Sequence, residues 1–482
     1  MNKILLSSCL ILGMMICQLP AQNQPPIIRA DIDTYVNTVL QRYGLPGAAV
    51  AVVHKGKLIH RQNYGFANLE HQVPVSEQSI FRIYSLTKLF VAVAAFQLIE
   101  AGKLSLEDKV SEYVDDLPED WQTIQIKHCL THSSGLPDMS PIPEFQDLTE
   151  AEAKAKVFAQ RLSFPPGERY QYNQTNFWLL DQIIERLSGK PMADFVLEGQ
   201  GLSETDTAFF SSDSRDIIRN RATAYFPFTK GYPTIDHPYL QGDYAYAMNG
   251  MNITLDALMA WDKKLHQSTF LNEKSLSTMW APFAYSGSDK VFAYGWDKRI
   301  LNGHDSYGFS GSLVTAYRTF PEENLRIFFL ANGTSSFFDI EDIINHLASL
   351  VNEDIYEINT LVYEKLLAAA QEGDFQNWEK AYQGLKKKHV DQEAPFENQV
   401  NNIGYGVMRA GNSEMAVKIF ALNAAQHPSS WNVFDSLGDG YVQLGERHKA
   451  LAAFERALQL NVNNERGFNQ QLAQKIQQLK GE

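Results

Sequence analysis

Between Phe81 and Ala95 the chain reads Phe-Arg-Ile-Tyr-Ser-Leu-Thr-Lys-Leu-Phe-Val-Ala-Val-Ala-Ala. From Leu89 onward this stretch is apolar without a break. A helix with no polar face is stable only when other elements enclose it. The chain has the material for that: 482 residues, 44% of them hydrophobic. Such a length points to two or three domains. If Ser85 opens the helix, Lys88 follows one turn later on the same face. A serine hydroxyl is a poor nucleophile until a base takes its proton, and a lysine whose pKa is lowered by burial can be that base. A helix N-terminus also favours developing negative charge. Taken alone, Ser-x-x-Lys also describes an N-cap serine followed by a surface lysine, which is the commoner case.

Residues 1–21 read as a secretory signal, with Lys3 as the positive region, an apolar core from Ile4 to Cys17, and cleavage expected after Ala21. The apolar run is too short for a membrane span and no other segment is a better candidate. The mature chain is therefore expected to be exported, periplasmic or extracellular, with no transmembrane segment. Cys9 and Cys17 leave with the signal, so Cys129 remains as a single thiol in an apolar helical context, expected to be buried and structural. A net charge of −14 argues against a nucleic-acid partner, which calls for a basic face.

Ile27 to Arg42 carries apolar residues at helical spacing. Residues 47–54 and 58–64, joined at Lys55-Gly56-Lys57, read as a β-hairpin. The Ser85 helix runs to Glu100 and stops before Gly102. In His132-Ser-Ser-Gly-Leu-Pro137, His132 is either a base or, the preferred reading, a group that fixes the loop. A polar loop, Tyr170 to Asn176, precedes an apolar helix from Phe177 to Leu187. Residues 201–245 are loop-rich and 254–265 helical. Asn302-Gly303 marks a second hairpin ending at Gly311, with strands at 312–320 and 325–330 beyond it. Strands at both ends with helices between them fit an α+β fold, a sheet built from the two ends of the region with helices around it.

A boundary falls near 350. Two connecting helices are expected over 354–373 and 375–388, then a polar break at 391–395. Beyond it Ile403, Gly404, Gly411, Ala416 and Phe420 recur as Leu437, Gly438, Gly445, Ala450 and Phe454, each 34 residues later. That is tetratricopeptide spacing, with small residues where paired helices cross. The organisation expected is a signal at 1–21, a catalytic region at 27–350, a helical connector at 351–395 and tetratricopeptide-like repeats at 396–482.

Several segments, in order, resemble the penicillin-recognising serine hydrolases of the class C β-lactamase-related branch. They are Gly44-Leu-Pro-Gly-Ala-Ala-Val-Ala-Val-Val, Phe81 to Lys88, Gln97 to Asp108, Leu130-Thr-His-Ser-Ser-Gly-Leu-Pro, Pro166-Gly-Glu with Tyr172 downstream, and Phe320-Pro-Glu-Glu-Asn-Leu. The resemblance covers about residues 30–335. It implies a β-lactamase/transpeptidase-like antiparallel sheet with a helical subdomain, and an acyl-enzyme mechanism. Ser85 would be the nucleophile, Lys88 would hold the proton network that activates it, and Tyr172 would shuttle the proton to the leaving group. Gln174 stands where the second motif usually has Asn. Ser310, Gly311 and Ser312 fall on the strand that would complete the oxyanion and substrate site with the Ser85 N–H. In the third motif Phe309 occupies the place of a Lys or His. His304 is the nearby cation that a shifted register would bring in.

The resulting expectation is an exported serine hydrolase acting on an ester or amide of a small molecule or peptide. No metal or organic cofactor is expected, because His, Asp and Glu lack metal-ligand spacing and no Gly-rich phosphate loop is present. The repeats would serve a protein partner or stabilise the C-terminus. The competing reading is a β-lactamase-like binding or scaffold module with a weak or inactive site, working through its repeats.

Overall fold

The structure, a computed structural model, describes residues 26–139, 148–202, 207–226, 234–235, 242–312, 314–334, 339–390, 393–409, 411–463 and 468–481. The signal segment at 1–21, with Cys9 and Cys17, lies outside them. The strands along the chain are β1 (Gly47–His54), β2 (Lys57–Asn68), β3 (Val73–Pro74), β4 (Ile80–Arg82), β5 (Ala208–Phe210), β6 (Tyr225–Phe226), β7 (Thr234–Ile235), β8 (Met251–Thr254), β9 (Asp297–Leu301), β10 (His304–Gly311), β11 (Thr315–Phe320) and β12 (Leu325–Ala331). Seven form one antiparallel sheet in the order β3-β2-β1-β12-β11-β10-β9. The two ends of the region meet at β1 and β12, where Ala48 faces Ala331 and His54 faces Leu325. The β9–β10 turn uses Asn302 and Gly303 at φ 47° and 89°, the left-handed pair that a tight hairpin needs. A smaller sheet, β4-β8-β5, packs beside it.

Alternation along β1 sends side chains into two cores. Ala48, Val50 and Val52 join a core with the helices Pro26–Tyr43 and Ile340–Val351. Ala49 and Ala51 join the larger core, which encloses the Thr87–Glu100 helix. That helix is buried from Thr87 to Phe96 on every face, which is why its sequence shows no polar stripe. Cys129 is buried in the same core as a free thiol, and burial raises its pKa.

Seven helices follow: Ile358–Gln371, Phe375–Lys388, Glu393–Arg409, Ser413–Gln426, Trp431–Gln443, Arg447–Leu460 and Asn469–Gly481. The 34-residue period of the sequence is also a period of packing. A Cβ on Gly404 would lie 2.3 Å from Phe420 Cε1, and one on Gly438 would lie 2.4 Å from Phe454 Cε1. Each glycine leaves room for the ring of the partner helix. Tyr405 also donates to Asp439 Oδ2 at 2.8 Å, tying one unit to the next. The helical region is anchored through Glu364, which accepts from Arg42 Nη1 at 2.7 Å and Tyr35 OH at 3.2 Å.

Two glycine substitutions should act with opposite signs. Gly438→Ala forces a methyl into the Phe454 ring and should lower stability by about 1–3 kcal/mol. Gly384 is exposed inside the Phe375–Lys388 helix with open space at its Cβ, so Gly384→Ala should raise stability by about 0.5–1 kcal/mol. Urea-denaturation midpoints of the full chain, followed by helical circular dichroism, test both signs.

Candidate active site

Ser85 is not the first residue of the α-helix. It lies in a 3₁₀ turn, Tyr84–Leu86, that feeds the helix starting at Thr87. Tertiary hydrogen bonds impose the tighter turn. Thr87 Oγ1 donates to the Tyr84 carbonyl at 2.5 Å and accepts from the Met251 N–H at 3.1 Å. The Ile83 N–H reaches the Met251 carbonyl at 3.0 Å. Tyr84 takes φ 48°, an uncommon value for a bulky side chain, and the Arg82 guanidinium sits 5.1 Å from its ring centre. On the other side β10 presses on the turn: a Cβ on Gly311 would lie 2.1 Å from the Ile83 carbonyl oxygen. Only glycine permits that approach of strand and turn.

The remaining groups converge on this turn. Tyr172 OH donates to Ser85 Oγ at 2.7 Å. Lys88 is fully buried, and its Nζ donates to Gln174 Oε1 at 2.8 Å and to the Met248 carbonyl at 2.7 Å. Gln174 Nε2 in turn lies 3.4 Å from Tyr172 OH. The amine also sits 5.1 Å from the centre of the Tyr172 ring and 5.2 Å from that of Phe177. Gln174, though one methylene longer than Asn, thus places its amide between the lysine and the tyrosine.

The loop at 132–139 grips the segment that carries Tyr172 and Gln174. The Asn173 N–H donates to His132 Nδ1 at 3.2 Å, and Asn173 Nδ2 to the Leu136 carbonyl at 2.5 Å. Thr175 Oγ1 donates to the Pro137 carbonyl at 2.7 Å, and the Gln174 N–H donates to Asp138 Oδ1 at 2.7 Å. Burial keeps His132 neutral, well below its usual range, and its ring packs on Tyr172 at 4.7 Å. It acts here as a loop-fixing group, with Nδ1 turned to the Asn173 backbone.

Burial also drives the Lys88 amine and the Tyr172 phenol apart. It lowers Lys88 from its ordinary value to about 7, against the opposing pull of the Asp138 carboxylate. It raises the Tyr172 phenol above its usual range. Near neutral pH the phenol keeps its proton while a large share of the amine has lost one. Groups whose environments drive their pKa values apart in this way divide naturally into an acid and a base.

β10 forms the opposite wall. Phe309 is buried, with its ring 6.0 Å from Tyr172 and 6.2 Å from Phe292. Phe292 lies 5.0 Å from Tyr170 and 5.6 Å from His132, so the wall is aromatic. Ser310 and Gly311 pair with Ala316 and Thr315 at the end of β10 beside the Ser85 turn. Ser312 follows at φ 47°, exposed. His304 is not brought to this cluster. The Asn302-Gly303 turn makes it the first residue of β10, whereas Gly311 is the last, and it pairs instead with Glu323. No group of three His, Cys, Asp or Glu side chains is placed to hold a metal ion among the described residues.

Sequence reasoning missed Asp138, Phe292 and the Met248 carbonyl. Asp138 had a signal, a lone carboxylate directly after His-Ser-Ser-Gly-Leu-Pro. The Met248 carbonyl had none, because every residue carries one.

Comparison with known proteins follows the same outline. The beta-lactamase family model matches residues 32–350. Penicillin-binding protein 4* of Bacillus subtilis is 26% identical over 297 residues, 56% of this chain and 63% of that relative. The chain thus spans somewhat under two thirds of that protein's length. The penicillin-binding protein structure from Bacillus halodurans aligns with a TM-score of 0.56 at 24% identity, over 65% of this chain and 98% of that one. The D-amino acid amidase of Ochrobactrum anthropi aligns with a TM-score of 0.56 at 19% identity, over 67% and 99%.

The rate of Ser85 acylation by a fluorophosphonate should rise with pH, with a midpoint near the Lys88 value of about 7, because the neutral amine is the form that accepts a proton. Below the midpoint the rate should fall about tenfold per pH unit, as for a single required base. Lys88→Met should cut the rate at pH 8 by about 10²–10⁴-fold and remove this limb. A wild-type profile flat between pH 5 and 9 would count against Lys88 as the base.

Proposed function

The chain belongs to the beta-lactamase family, and from that premise we propose that it is an exported serine hydrolase of the class C-related branch. It would cleave a neutral ester or amide through an acyl-enzyme on Ser85. The observation that carries this reading is the hydrogen-bonded chain at Ser85: Tyr172 OH on Ser85 Oγ at 2.7 Å, with the Gln174 amide between that phenol and a buried lysine amine. A retired site has no physical need to keep an amine out of water.

In this reading the residues share the steps. Neutral Lys88 takes the Ser85 proton as Oγ attacks the substrate carbonyl. The oxyanion that forms is held by backbone N–H groups of the Ser85 turn and of the β10 end near Ser312. Such preorganised donors are worth a few kcal/mol of transition-state stabilisation. Tyr172 delivers a proton to the leaving alcohol or amine as the carbonyl–leaving-group bond breaks, and Lys88 restores the Tyr172 proton. Water, deprotonated by the same groups, then attacks the acyl ester and releases the acid with Ser85 restored.

Phe309 sets the substrate class. A carboxylate seated against it would give up its hydration for no charge-assisted hydrogen bond, whereas an apolar acyl or alcohol group packs on the Phe309–Phe292–Tyr170 wall. The amidase among the structural neighbours is named for D-amino acid substrates. We assign this chain instead to substrates without an essential carboxylate. Residues 351–395 would be a connector and 396–482 tetratricopeptide-like repeats, which recruit a protein partner or stabilise the C-terminus. The one observation favouring a purely binding role is Phe309 in place of the third-motif cation.

A fluorophosphonate probe should label Ser85 in the mature protein, and Ser85→Ala should abolish the adduct. Labelling that persists in Ser85→Ala, or none in the wild type with any acylating probe, would favour the scaffold reading. Short-chain nitrophenyl esters should be turned over faster than nitrocefin. Phe309→Lys should raise nitrocefin turnover about 10–100-fold, the worth of one charge-assisted hydrogen bond.

A further inference from the structure

Asp138 is one residue past the turn His132 to Pro137 and is partly buried. Its Oδ1 accepts the Gln174 N–H at 2.7 Å, immediately before the Thr175–Ser188 helix. An anion at a helix N-terminus is favourably placed, and this one fixes the residue whose side chain meets Lys88. Gln174 is therefore held at two points, its backbone by Asp138 and its amide oxygen by the Lys88 amine at 2.8 Å. Neighbouring contacts reinforce the grip: the Met139 N–H donates to Thr175 Oγ1 at 2.8 Å, and Thr175 Oγ1 donates to the Pro137 carbonyl.

We propose that Asp138 is a positioning residue for the reaction: it holds Gln174 where the amide meets Lys88, and it is the anion that balances the ammonium form of that lysine. This rests on the acyl-enzyme reading given above. The titratable groups around the amine are Tyr172 and His132, and Asp138 is the carboxylate among the charges that act on it. Tyr172 is protonated and His132 neutral near pH 7, both through burial. Burial pushes Lys88 towards its neutral form and the Asp138 charge pushes it back. Without that charge the amine would give up its proton at lower pH. Asp138 therefore keeps the lysine poised between its two forms near neutrality, where accepting and returning a proton are both fast.

Three variants separate charge from hydrogen bonding. Asp138→Asn keeps an acceptor for the Gln174 N–H and removes the charge. Asp138→Ala removes both, and Asp138→Glu keeps the charge. The measurement is the pH profile of Ser85 labelling by a fluorophosphonate in the full chain, with thermal unfolding followed alongside. Asp138→Asn should move the midpoint down by about half a pH unit or more, the effect of losing an opposite charge nearby. Asp138→Ala should show the same displacement and a plateau about tenfold lower still, and Asp138→Glu should restore the wild-type midpoint. An Asp138→Asn or Asp138→Ala profile with the wild-type midpoint, whatever its plateau, would reduce Asp138 to a structural role and overturn the proposal. If Asp138→Asn does not fold, the Ala and Glu profiles decide the same question. Absence of labelling in the wild type would sink the acyl-enzyme reading and this inference with it, whereas a labelled wild type with undisplaced variants sinks this inference alone.

Discussion

The site depends on keeping the amine of Lys88 away from water. Removing an ammonium group from water costs several kcal/mol, and the chain offsets that cost in two ways. The amine can exist neutral, and its donors meet Gln174 Oε1 and the Met248 carbonyl. Both offsets need a rigid enclosure. The helix that carries Lys88 is therefore apolar on every face, and the sheet, the Thr175–Ser188 helix and the 132–139 loop close around it. The burial that lowers the Lys88 pKa is the same burial that puts its helix at the centre of the larger core.

That coupling explains what could be read from the sequence. The hairpins and the unstriped helix were legible because local signals specify them: period-2 alternation, an Asn-Gly turn, an unbroken apolar run from Leu89 to Phe96. The glycine–phenylalanine period at 404/420 and 438/454 was legible because a crossing of two helices leaves a size constraint at fixed spacing. Ser85 and Lys88 stood out through spacing, and Tyr172 through its place ahead of a buried helix. The 3₁₀ turn under Ser85 was not legible, since hydrogen bonds from Thr87 to residues 84 and 251 impose it. Nor was the isolation of His304, which follows from register: one strand length separates the two ends of β10, and only the Gly311 end touches the Ser85 turn.

Phe309 stands on a different element from Ser85, Lys88 and Gln174. It sits on β10 opposite Tyr172, across the cleft from the amine, and packs on Tyr172 and Phe292 and not on Lys88. Exchanging a cation for a ring there removes a hydrogen-bond donor toward substrate and adds apolar surface. The proton network is held by other elements: Gln174 by the 132–139 loop, and Ser85 by β4, β8 and the Gly311 contact. Phe309 and the Ser85–Lys88–Gln174 cluster are thus held by separate parts of the fold.

The same separation governs the C-terminal helices. They attach to the sheet face covered by Pro26–Tyr43 and Ile340–Val351, through Arg42 and Tyr35 on Glu364 and through Thr360 on Asp342. The nucleophile helix packs on the other face. A cavity of about 1170 Å³ lies along this seam, bounded by Tyr43, Asp342, Tyr363, Tyr405 and Arg409 among others. Glu364 is nearly buried at this seam, and removing Arg42 would leave its carboxylate without its ion pair, a costly change for a buried charge.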